Sequence, residues 1–140
     1  MKDRIPQITR IVLGVILLIF GVNKFALFLP PFELAGVAGE FWTAMVNSGY
    51  VLEMVGVVEI IVGVMLVTNK YVPLALLFLA PISVNIVAFH AFLDLPNIGP
   101  ALLVAAANLV LMFAYKPYFN SSLVQNAVAN TTEEQARMHA

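Results

Sequence analysis

The stretch GVILLIFGVNKFALFLPP, residues 14–31, decides how this chain is read. It is apolar enough to sit in a lipid bilayer, yet Asn23 and Lys24 stand near its end. Working outward, three more apolar runs follow, and together they give expected helices over about 5–29, 50–68, 71–93 and 100–116. A bilayer-spanning helix needs about 20 apolar residues, within a range of about 17–25. The first and third runs fit outright, and the second and fourth fit if their aromatic or polar ends reach the interface. Lys2, Arg4 and Arg10 give the first run the basic start of a signal peptide. A cleavable apolar region is only about 7–15 residues long, whereas this one runs on through FALFL, so a retained span is expected.

Composition sets the class. The chain has 140 residues, of which 61% are hydrophobic and only 11% charged, and its mean hydropathy is +0.95. Soluble domains carry roughly 25% charged residues, so the polar side chains here cannot cover a water-facing globule. A net charge of −1 without a basic cluster gives no footprint for nucleic acid. There is no cysteine, which removes disulfides, thiolate metal sites and iron–sulfur clusters.

The punctuation between runs agrees with helices. In TNKYVP, Asn69 suits a left-handed helix end and Pro73 a helix start. DLPNIGP breaks the chain before Pro100, and KPY closes the fourth helix. Between the first two runs, Phe41, Trp42, Met45 and Val46 repeat at helical spacing opposite Thr43 and Asn47, marking a short amphipathic helix near residues 40–47 for the membrane surface. With four spans, both termini share a side with the Asn69–Lys70 turn. That side holds Lys2, Arg4, Arg10, Lys70, Lys116 and Arg137 out of 7 basic residues in all. By the positive-inside rule it is cytoplasmic. The expected fold is therefore an all-α integral membrane four-helix bundle over residues 1–119, with N-terminus and C-terminus inside. A polar cytoplasmic tail follows over 120–140, with a capping box at Thr131 and Glu134.

At a rise of 1.5 Å per residue, Lys24 lies roughly 6–9 Å inside the outer end of its run. Glu53 and Glu59 lie roughly 6 and 15 Å in from Gly49, and His90 and Asn85 about 6 and 13 Å in from Asp94. Asn108 is about 13 Å in from Gly99. All six fall in the outer half, leaving the cytoplasmic half almost purely apolar. Lys24 shares a stripe with Gly21, Leu17 and Gly14, and Glu59 with Gly56 and Gly63. Small residues mark faces where membrane helices approach closely, so both charges should point into the bundle, with Glu59 the expected partner of Lys24 and Glu53 the alternate. A carboxylate at that depth is a functional-site signal by default. The plainer readings stand beside this one. Lys24 snorkels to the headgroups, Glu53 is solvated, His90 pairs with Asp94 one turn away, and Asn85 and Asn108 are interhelical glue worth about 0.6 kcal/mol each. No set of three or four converging metal ligands stands out. The candidate ligand-binding residues are Asn23, Lys24, Glu59, Asn85, His90 and Asn108.

These residues carry a resemblance. G-x-N-K-F at residues 21–25, the V-E-x-x-x-G around Glu59 and Gly63, and Pro81, Asn85 and His90 in P-x-x-x-N with its following His resemble the DoxX family of small four-helix bacterial membrane proteins. The likeness covers about residues 10–118. It implies the bacterial inner membrane and a link to quinone chemistry, since the family takes its name from a small subunit associated with a terminal quinol oxidase and has relatives tied to thiosulfate–quinone oxidoreduction. Others resemble partners in oxidative-stress complexes, and distant animal relatives are membrane chaperones. Two functions stay open on this basis. One is a quinone-interacting accessory subunit of a membrane oxidoreductase, with Phe25, Phe28, Phe89 and Phe92 as aromatic walls and quinone as the ligand. The other is a non-enzymatic assembly protein whose polar layer fixes the bundle. A small-solute or proton carrier ranks third, because no broken mid-membrane helix is visible. The expected partners are the lipid bilayer, oxidoreductase subunits and further copies of the chain.

Overall fold

A computed structural model describes residues 4–31 and 33–119. They are all-α: α1 is Arg4–Ala26, α2 Gly36–Asn47, α3 Val51–Val67, α4 Val72–Leu93 and α5 Gly99–Ala114, with single 3-10 turns at Leu95–Asn97 and Lys116–Phe119. The expected tail, with its capping box, lies outside the described residues. α1 and α4, of 23 and 22 residues, are each long and apolar enough to cross a membrane. α2 and α3 pass that test only as a pair bent by 83°, and α5 is a shorter apolar helix. α1 packs along α3, α3 against α4, α4 against α5 and α5 against α1, so these four helices close a ring. α2 touches α3 and α4.

The helix ends follow from local chemistry. α3 ends in a Schellman arrangement: Asn69 takes φ 57°, its N–H donates to the Leu66 carbonyl at 3.3 Å, and the Lys70 N–H donates to the Met65 carbonyl at 3.0 Å. Pro73 and Pro100 sit in the first turns of α4 and α5, where a missing N–H costs nothing. The corner between α2 and α3 is built on Gly49, at φ 70°, and on the Ser48 hydroxyl oxygen, which accepts from the Val51 N–H at 3.3 Å.

Two boundaries differ from expectation by three residues or more. α1 stops at Ala26 rather than Leu29, because Leu27 turns left-handed at φ 50° and the Asn23 side-chain oxygen takes the Leu29 N–H at 2.7 Å. Helical continuation would need that N–H for the backbone. α2 opens at Gly36, a turn before the amphipathic pattern shows itself. Its first turn is poor in helix formers but is held down by Ala38, 2% exposed. Gly39 lets the Leu34 carbonyl approach to where a Cβ would clash, at 2.6 Å.

The apolar core gathers Leu13 and Leu17 of α1, Val62 and Leu66 of α3, Val72, Ala75, Leu76 and Leu79 of α4, and Leu111 of α5, with Phe119 beyond it. These residues come from the first half of α4, the second half of α3 and α5, and the two turns either side of the middle of α1. One end of the ring is thus dry, while Lys24, Glu59 and His90 stand toward the other. The expectation of an almost purely apolar inner end fails at one point. Arg10 is buried there, 7% exposed, and its guanidinium donates to the Leu66 carbonyl and, at 3.5 Å, to that of Val67.

Candidate functional site

The α1–α3 seam positions the strongest feature. Gly14 faces Gly63 and Gly21 faces Gly56 in antiparallel register: a Cβ on Gly63 would lie 2.9 Å from the Gly14 carbonyl oxygen, and one on Gly21 3.0 Å from that of Gly56. Backbones this close leave no room for a side chain, the packing that small residues permit between membrane helices. A Cβ on Gly21 would stand 3.1 Å from the Cβ of Glu59, and one on Gly56 3.2 Å from the Cβ of Lys24. Each glycine therefore makes the space that one of the two ions occupies.

Lys24 Nζ donates to Glu59 Oε2 at 2.5 Å, with the side chains 16% and 4% exposed. The choice of Glu59 over Glu53 follows from helix geometry. Side chains lean toward the N-terminus of their own helix, and in an antiparallel pair Lys24 and Glu59 lean toward each other, while Glu53 leans away to the end of α3. Glu53 is exposed. Lys24 is an inward, paired cation and not a snorkelling one.

The other candidates are distributed around the ring. Asn108 of α5 is 3% exposed, and its Nδ2 donates to Ser83 Oγ of α4 at 3.3 Å, while its Oδ1 is buried with no partner. His90 Nδ1 lies 3.0 Å from Asp94 Oδ2, and Asn97 donates to both Asp94 oxygens at 2.9 and 3.1 Å. Phe89 stacks its ring 5.8 Å from Phe41 of α2 and meets His90 edge-on at 5.1 Å. Asn23 closes the end of α1. Asn85 is exposed on the outside of α4 and does not join the interior polar groups. Of the expected aromatic walls, Phe25 covers Gly56, whereas Phe28 and Phe92 face outward.

Two hollows lie elsewhere. An apolar groove of about 290 Å³ runs between Ile8, Val12, Leu13 and Ile16 of α1 and Leu103 and Val104 of α5, and a wide depression borders α2 at Trp42 and Asn47. None of the six candidate residues lines either one.

Arg10 is the residue that depth reasoning missed, because a basic residue near a helix start reads as a headgroup anchor. The signal was present in its spacing: residues 10, 14, 17, 21 and 24 form one continuous stripe.

With that geometry in place, the comparison with known families is decisive. The DoxX family model matches residues 5–91, more than half of the chain. The protein belongs to the DoxX family. No curated protein and no solved structure matches it. The DoxX match takes in α1, α2, α3 and nearly all of α4, with Asn23, Lys24, Glu59, Asn85 and His90, and stops before α5 and Asn108. Apolar helices and family together make this a membrane protein.

Proposed function

We propose that this DoxX protein spans the bacterial inner membrane four times, with both termini cytoplasmic and α2 lying along the outer surface, and that it serves a membrane oxidoreductase as a quinone-interacting accessory subunit. The observation that carries the functional reading is the Lys24–Glu59 pair. A cation with three N–H donors, one of them given to Glu59, stands in apolar surroundings beside a proton-accepting carboxylate. That donor set suits a quinone carbonyl, which takes a hydrogen bond from an ammonium in its oxidised form. Bound there, a quinone supplies two-electron redox chemistry. The chain's own residues would orient it, Lys24 by donation and Glu59 by holding a proton within reach, with Asn108 Oδ1 an unfilled acceptor on α5 for a hydroxyl of the reduced form. Electrons would come from a partner subunit.

The assembly reading is favoured by a different observation. The polar groups at the outer helix ends are closed on one another, Asn23 on Leu29 and His90 on Asp94, as in a rigid docking scaffold.

Organic extraction of the protein purified in native lipid, assayed for quinone, separates the two. Stoichiometric quinone that falls away in Lys24→Met supports the first. Absence of quinone together with a stably co-purifying enzyme supports the second and rejects the first.

A further inference from the structure

Asn85 sits thirteen residues into α4, far from either end of the helix, and its amide is exposed. Among the described residues it is the one exposed polar side chain in the interior of a ring helix; Gln7 and Glu53 occupy first turns. Its neighbours on that face are apolar and also exposed: Leu74, Leu77, Phe78, Val84 at 69% and Phe92 at 86%. Pro81, one turn before Asn85, lies on the same exposed face. Proline has no N–H, so the Leu77 carbonyl lacks the donor that an ordinary residue at 81 would give it. Acyl chains donate and accept nothing, and a polar group left unpaired in hydrocarbon is costly.

We propose that this face of α4 is the contact between two copies of the chain, related by a twofold axis along the membrane normal, with the two Asn85 amides bonded to each other. Three features favour a second copy over any other occupant. A carboxamide is self-complementary, carrying both donor and acceptor, so it needs no differently charged partner. An isologous twofold interface brings each residue to its own equivalent, and an axis along the normal keeps both Asn85 side chains at one depth. Among the described residues, a copy presenting another face of the ring helices α1, α3 or α5 would leave Asn85 unpaired, because those faces expose no polar group in the helix interior.

The chain's lack of cysteine gives a clean test in lipid nanodiscs or vesicles of full-length protein. Val84→Cys and Phe92→Cys should form covalent homodimers with a short bis-maleimide, whereas Ile61→Cys on α3 and Leu109→Cys on α5 should not. Asn85→Leu should weaken dimerisation, read by energy transfer between labelled copies across protein-to-lipid ratios, by about fivefold to tenfold, as expected for two interhelical hydrogen bonds in a bilayer. The leucine fits the exposed site without disturbing the monomer. A monomer at every ratio, equal cross-linking from all four positions, cross-linking at Val84 to a different membrane protein, or undiminished association of Asn85→Leu would overturn the proposal. None of these outcomes depends on whether the protein binds quinone.

Discussion

Lys24 reaches across the Gly21–Gly56 contact to Glu59, so the ion pair and this close backbone approach of α1 to α3 are one construction. Breaking one half should expose the other. Lys24→Met or Glu59→Gln alone should each lower stability in detergent by about 2 kcal/mol or more, because an ion is left buried without its partner. The double substitution should recover much of that, with a coupling above about 0.5 kcal/mol in a thermal-unfolding cycle. Simple additivity would mean the two charges do not support each other.

The glycines should differ sharply by position. Gly63→Leu drives a side chain into Leu18 and the Gly14 carbonyl and should cost about 1–3 kcal/mol or prevent folding, as overpacking does. Gly99 has nothing within 4 Å of a prospective Cβ and starts α5. Gly99→Ala should be neutral or stabilise by up to about 1 kcal/mol. Melting temperatures of the two variants, measured side by side, check the contrast.

Arg10 holds the last carbonyls of α3 from the neighbouring helix. Arg10→Met keeps the stem but loses a charged donor, and should cost about 1–3 kcal/mol. The loss should appear locally as faster hydrogen exchange at the Lys70–Tyr71 turn before the rest of the protein loosens. Uniform protection across α3 and the turn would show that the bond contributes little.

At Asn69 the left-handed backbone sets the order of substitutions. Asn69→Gly should be tolerated, whereas Asn69→Val should lose about 1 kcal/mol or more, since a β-branched residue resists positive φ. Denaturant midpoints in mild detergent give the ranking, and an equal response to both would remove the cap from the account.

The four-span proposal is open to the same cysteine-free chemistry. Single cysteines at Asn47 and Asn97 should react with an impermeant maleimide from outside intact cells, and one at Asn69 only after the membrane is opened. Reaction of Asn69→Cys from outside would invert or break the topology.

Much of this arrangement was legible in the sequence because α1 and α3 each carry one stripe of small residues, and that stripe fixes which way their charges face. The Lys24–Glu59 pair follows from spacing and depth alone. Asn85 was legible in depth but not in direction. α4 is apolar on every side, so nothing in its sequence sets the rotation of the helix, and its one mid-helix amide could as readily point in as out. The early end of α1 was hidden for another reason. It depends on an Asn side chain capturing a backbone N–H six residues on, a competition that apolar patterning does not register. Arg10 fell to the positive-inside rule, which explains a basic residue at a span's edge so readily that its place on the stripe went unused.

The Lys24–Glu59 pair also constrains how the protein is made. Its two members are 35 residues apart in the chain, with the whole of α2 between them. At a synthesis rate of roughly 5–20 residues per second, Glu59 emerges about two to seven seconds after Lys24. For that interval α1 carries an ammonium without its native counter-ion. On the four-span proposal, α1 should reach its final depth only when α3 arrives beside it, the two settling as a hairpin.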